Sequence, residues 1–434
     1  MRVRLAYDRD GLTVDFPDDG VEVIAPRFVA GLPDETAALQ SALRAPLGAR
    51  PLREIVTPGD DVLIVFPDVT RPMPSARVLP VLLAELDTLP LERITLLNAL
   101  GAHRPNTRAE LTDMLGAEIV GRYRILQHDP ADRDALVNLG RTCFGREIWI
   151  NRAFVEAQVR ILTGFIEPHF FAGFSGGPKA VMPGICGLDT ILGNHGAAMI
   201  DHPGATWGET EANPVYQEMA QVAERAAPEF LVNVTLNRRR EITGVFAGDW
   251  RAAHRAGCAF VRQSAMRPVD GPYDCVVTTN AGFPLDANLY QAVKGLSAAA
   301  RIVRPGGTLV LAAACTEGMR GHENFYRLLH ASASPEALLA EIRGRREPQR
   351  DQWQAQILAG VLGRATVHLH SGLTEEAVRR CHLRPVEDVG AFVRAWRDRN
   401  PRGRIAVLPE GPQTIPCVQP DNGLIGRQRP DSGF

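Results

Sequence analysis

The chain has 434 residues, 45% of them hydrophobic and 23% charged, with a formal net charge of −2. This is the composition of a globular protein long enough for more than one core, with no general electrostatic attraction to nucleic acid or to an anionic membrane. Residues 1–20 lack the apolar stretch of a secretory leader, and no later segment stays apolar for the ~18 residues of a membrane helix, so a cytoplasmic protein is expected. The seven cysteines, at 143, 186, 258, 275, 315, 381 and 417, are scattered without a Cys-x-x-Cys pair. Reduced thiols are expected, rather than a disulfide framework or a structural zinc site.

In chain order, apolar runs at 61–66, 93–97 and 159–163 read as buried strands, and each ends at a polar or glycine-rich turn: 67–72, 101–105 and 164–169. Ligands of an open α/β sheet bind beyond the carboxyl ends of its strands. Asp68, Arg71, His103 and His169 are therefore expected on one rim. Linker chemistry at 267–273 precedes a second set of strands at 274–279, 307–312, 366–369 and 404–408, with a helix over 287–300. The fold class expected is α/β: two lobes with mostly parallel sheets joined by a short hinge, with the active site in the cleft between them. The corresponding domains are 1–268 and 273–410, followed by a tail over 411–434.

Of the 48 basic residues only Lys179 and Lys294 are lysines, which leaves 46 arginines. Arginine serves as well as lysine for a surface charge, but it cannot replace a primary amine that forms a covalent bond or changes its protonation. Lys179 closes the run Gly173-Phe174-Ser175-Gly176-Gly177-Pro178-Lys179. Its glycines allow close approach of backbone N–H groups to an anion, although the spacing is not that of a P-loop and a tight turn explains them equally. Lys294 lies four residues after Tyr290, on the same face of the expected helix.

His103 and His169 each follow a strand and lie near a proline, and two imidazoles facing one pocket can act as base and acid. Arg71 offers a planar fork to a carboxylate or phosphate, or else pairs with Asp68 at a helix start. His195 is expected at a helix start and is by itself a weak metal signal. His368 and His370 share one strand face but lack a third ligand, and His322 and His330 have no convincing context.

Together, Asp68-Val69-Thr70-Arg71-Pro72, Gly101-Ala102-His103-Arg104-Pro105, Glu167-Pro168-His169-Phe170-Phe171 running on to Lys179, Asn194-His195, Tyr290-Gln291-Ala292-Val293-Lys294-Gly295 and Leu408-Pro409-Glu410-Gly411-Pro412 resemble the nickel-dependent lactate racemase family. The match runs in order over roughly residues 60–416. The resemblance implies an isomerase that racemises or epimerises a 2-hydroxy acid by reversible hydride transfer. The cofactor implied is a nickel-pincer nucleotide, a pyridinium-3,5-bisthiocarboxylic acid mononucleotide nickel, covalent at Lys179, with His195 as protein ligand to nickel. It further implies His103 and His169 as acid/base residues, Arg71, Tyr290, Gln291 and Lys294 as substrate-binding, and Asp68, Thr70, Gly176, Gly177 and Trp353 as cofactor-binding. Partners would be the small-molecule substrate and the cofactor-synthesis and nickel-insertion proteins, with neither nucleic acid nor membrane.

Ala102 stands where the family commonly has Thr, and Pro178 where Arg is common, which leaves open lactate, a larger acid such as malate or an aryl-lactate, and, as an alternative, a sugar or sugar acid. A nucleotide-dependent methyltransferase, suggested by Val303-Arg304-Pro305-Gly306-Gly307, lacks the Gly-x-Gly loop it requires. A non-catalytic binding protein of the same fold has no reason to keep both histidines and Lys179.

Overall fold

The structure, a computed structural model, describes residues 1–418. The chain forms two compact units. One comprises Arg27–Ala265 with Ala337–Gln356, and the other Met1–Pro26, Met266–Glu336 and the segment from Ile357 onward.

The first unit is built on a six-stranded sheet ordered Ile242–Gly248, Phe230–Leu236, Val159–Phe165, Val62–Pro67, Ile94–Ala99 and Arg124–Gln127. All neighbours are parallel except the edge strand Ile242–Gly248. Central strands covered on both faces read as continuous apolar runs rather than alternating ones. Val62, Leu63, Ile64, Val65 and Phe66 are all buried, as are Ile161, Leu162 and Thr163. Each fully buried Leu, Ile or Phe contributes roughly 1.5–3 kcal/mol of transfer free energy, so this sheet is the rigid platform from which the loops project.

The second unit carries an all-parallel six-stranded sheet ordered Arg384–Pro385, Ala365–His370, Val303–Ala312, Tyr273–Thr279, Ile405–Leu408 and Val21–Val23. Four of these strands, and the 289–299 helix, fall where the apolar patterning put them. The division of the chain differs from the expected one. Residues 1–26 belong with the second unit, because Val21–Val23 completes its sheet and Leu5, Val14 and Phe16 share a core with Val277, Val310 and Val407. The expected hinge is partly regular structure, since Met266–Val269 pairs in parallel with Ile415–Val418. Residues 411–418 are therefore tied into that unit, and 419–434 lie outside the described residues. Among the described residues, no helix is long and apolar enough to cross a membrane.

Candidate active site

Three loops of the first unit follow three adjacent parallel strands, Val159–Phe165, Val62–Pro67 and Ile94–Ala99, and they carry His169, Asp68 with Arg71, and His103 respectively. Asp68 is buried, and its Oδ2 lies 2.6 Å from Nδ1 of the half-buried His103. Its other oxygen accepts hydrogen bonds from the Thr70 N–H at 2.8 Å and the Thr70 hydroxyl at 2.5 Å. Burial alone would push this carboxyl up, but the hydrogen bond and charge of His103, the charge of Arg71 and the Thr70 hydroxyl outweigh it and hold the group down at about 2. An ionised carboxylate only accepts, so His103 presents Nδ1–H to Asp68, and its Nε2 is left as the basic nitrogen.

His169 is held the other way round. It sits in a two-residue strand, Pro168–His169, paired with Gly173–Phe174, and the Ala172 N–H at the tip of this hairpin donates to its Nδ1 at 3.2 Å. With Nδ1 as acceptor, the neutral ring carries its proton on Nε2. The ring is buried against Phe170 and Phe171 at centroid separations of 4.8 and 4.6 Å.

Phe171 is where the predicted residues converge. Edge-on contacts join its ring to His169 and, at 5.0 Å, to His195, while Lys179 Nζ lies 5.7 Å from its centroid. His195 caps the end, not the start, of the helix Leu188–Asn194: its N–H bonds back to the Ile191 carbonyl, and Gly196 follows. Its Nδ1 also lies 3.0 Å from that carbonyl, to which it donates, so Nε2 is the nitrogen with a lone pair. Burial and then the nearby Lys179 charge push this imidazole down to about 3, against the opposing pull of the Ile191 carbonyl. Trp353, from the inserted segment 337–356, packs edge-on against His195 at 4.9 Å. The helix end itself is fixed by Asn194, whose amide donates to the fully buried Glu218, the partner of Arg146.

Gly176 and Gly177, expected as cofactor contacts, have a packing role that the sequence did not disclose. Their φ angles are +74° and +52°, and a Cβ at either would fall within 2.6 Å of Asn233 or His254. The Gly177 N–H is already bonded to Asn233 Oδ1 at 2.8 Å.

In the second unit, Asn288 caps the helix Leu289–Ala299, which carries Tyr290, Gln291 and Lys294. Lys294 Nζ donates to Gln291 Oε1 at 2.8 Å, and Tyr290 lies flat on His322 with centroids 3.6 Å apart. His322, without context in the sequence, is thus a neighbour of the predicted substrate group. His368 and His370 do share a strand face, but they pack against Phe392 and Tyr7, and among the described residues no group of three or more His, Cys, Asp or Glu could hold a metal.

Comparison with known proteins gives the family. The family model for the lactate racemase N-terminal domain matches residues 7–208, and that for the lactate racemase C-terminal domain matches residues 270–415. The chain belongs to the lactate racemase family. It is therefore an isomerase, a racemase. A lactate racemase of Thermoanaerobacterium thermosaccharolyticum is 34% identical over 422 residues, 95% of this chain and 98% of that protein. One from Lactiplantibacillus plantarum is 35% identical over 418 residues, 94% and 98% of the two chains. The solved structure of the T. thermosaccharolyticum lactate racemase apoprotein superposes with a TM-score of 0.90 at 33% identity, covering 96% of this chain and all of that one.

Phe171, Asn233 and His254 are the residues of this racemase that sequence reasoning passed over. Phe171 stood inside a quoted motif, and Asn233 was visible as one amide in the apolar strand Phe230–Leu236. Nothing marks His254 in the sequence.

Proposed function

We propose that this racemase inverts the hydroxyl-bearing carbon of a small 2-hydroxy acid, lactate first among the candidates, with a nickel-pincer nucleotide held covalently by Lys179 and its nickel bound by His195. The observation that carries this reading is the state in which His195 is kept. One ring nitrogen is tied to a backbone carbonyl, the other bears a lone pair, and burial keeps the ring uncharged, which is the form a metal requires. The Lys179 charge acts on that same ring, so the anchor and the ligand suit one bound group. With no multi-ligand protein cluster among the described residues, a nickel at His195 would take its other ligands from the nucleotide.

Hydride removal and return at the reacting carbon are the chemistry such a cofactor supplies when bound. The chain's own residues handle the protons. His103 Nε2 accepts the hydroxyl proton, and Asp68 stabilises the imidazolium that results. His169 Nε2–H is set to donate as the hydroxyl re-forms, and in the reverse direction the two exchange roles. Arg71 donates its backbone N–H to the Asp68 carbonyl and its charge acts on the Asp68 carboxylate, while its planar fork suits a substrate carboxylate; on the second unit, Lys294 with Gln291 forms a polar group suited to a substrate oxygen.

The test uses protein made with and without cofactor-synthesis and nickel-insertion proteins, assayed on enantiopure lactate, malate, aryl-lactates and aldoses. Intact-mass spectrometry should show an adduct on the wild-type chain and none on Lys179→Arg, which keeps the charge but not the amine. Undiminished racemisation by an adduct-free Lys179→Arg protein would overturn the assignment.

A further inference from the structure

The backbone just before Lys179 adopts two successive left-handed conformations, at Gly176 and Gly177. Such a turn is unfavourable for most residues and flexible for glycine, so something outside it must hold its shape. The structure supplies three holds. Ser175 is tied to the preceding loop, its N–H donating to the Glu167 carbonyl at 2.9 Å and its hydroxyl to the Phe165 carbonyl at 3.0 Å. The Gly177 N–H donates to Asn233 Oδ1. The third hold is His254, a fully buried residue of the helix Trp250–Ala265, whose Nε2 lies 2.9 Å from the Ser175 carbonyl.

The His254 ring is itself set by its neighbours. A carbonyl can only accept, so Nε2 carries the proton and Nδ1 is left to accept from the Tyr216 hydroxyl, 3.0 Å away. Burial keeps the ring uncharged, pushing it down to about 4, with partial compensation from the Ser175 carbonyl. Its face also fills the space beside Gly177, where an added Cβ would lie 2.4 Å from His254 Cγ. Tyr216, His254 and Ser175 thus form a directed relay of hydrogen bonds that ends on the lysine's own turn, with the Cys258 sulfur beside the ring at 3.4 Å from Nε2 and 3.7 Å from Nδ1.

We propose that His254, oriented by Tyr216 and assisted by Asn233, is a positioning residue that locks the 175–179 turn and so presents the Lys179 amine in one place for covalent attachment. The lock is a property of the apoprotein. Its link to attachment rests on the role proposed for Lys179.

Two readouts separate the lock from that role: amide hydrogen exchange of residues 174–180 in the apoprotein, and adduct yield by intact mass after production with the cofactor-synthesis proteins. His254→Leu should speed exchange of this turn by about tenfold or more and lower adduct yield, because the Ser175 carbonyl loses its donor. His254→Gln, whose amide can donate from nearly the position of Nε2, should restore both to within about twofold of wild type. Equal protection in the Leu and Gln variants would show that His254 only fills space and would overturn the proposal. Should both fold poorly, Tyr216→Phe deletes a single hydroxyl; faster exchange at 174–180 with the strand Phe230–Leu236 unchanged supports the lock, and unchanged exchange refutes it. A wild-type chain that never gains an adduct would count against the attachment role alone, since the exchange result stands without it.

Discussion

The rim around His103 and the pocket around His169 hold the same side chain by opposite means. His103 is half-exposed and backed by an ionised carboxylate, whereas His169 is buried among phenylalanines and receives a backbone N–H. The first arrangement sets the proton on Nδ1, facing a carboxylate; the second leaves Nδ1 as an acceptor and sets the proton of the neutral ring on Nε2. Two histidines that look equivalent in the sequence are therefore unequal in the fold. In the roles proposed for them, one takes a proton and the other gives one, and each turnover would exchange the two protonation states.

The strongest way to break this comparison is to remove each ring. His103→Ala and His169→Ala should each lower turnover by at least ~10²-fold in both directions, with the adduct proposed at Lys179 still formed. Normal racemisation by either variant would remove that histidine from the mechanism. A subtler change is Asp68→Asn, which replaces an acceptor with a group able to donate to Nδ1 and so moves the His103 proton to Nε2. Turnover should fall by about 10²-fold while the Michaelis constant changes little. Unaltered turnover would mean that the 2.6 Å contact has no part in proton transfer.

The smallest effect concerns stability, and it extends the comparison to His254, a ring kept neutral by burial. Its folded pKa, about 4, lies below the ordinary 6.5. The folded state thus binds fewer protons than the unfolded one between these values, so its contribution is complete above pH 6.5 and is lost as pH falls toward 4. Urea unfolding of the apoprotein should show a loss of at most about 3 kcal/mol across this window that is absent in His254→Gln. Identical pH dependence in the two proteins would place the acid sensitivity elsewhere.

The strands were legible because buried parallel strands are written as uninterrupted apolar runs, and Val62–Pro67 and Tyr273–Thr279 show it plainly. Lys179 stood out through composition, since an arginine-rich chain exposes the places where an amine is needed. Other features were hidden for physical reasons. Val21–Val23 is a three-residue strand, mostly exposed, too short to show a period, so its place in the second unit's sheet emerges only from pairing. His195, in Asn194-His195-Gly196, looked like the start of a helix, yet it closes one. The Asp68–His103 contact joins residues 35 apart, and a sequence holds no record of which neighbouring loop a carboxylate will face.

The chain passes between its units four times, after Pro26, Ala265, Glu336 and Gln356. This has a consequence for synthesis. Trp353, which packs on His195, leaves the ribosome only after three of the six strands of the second unit's sheet have been made, so a fragment that ends with the first unit's own sheet lacks this contact. Completion of this contact waits until residue 353 has been made, and a chain that stops short of it lacks the indole that packs on His195.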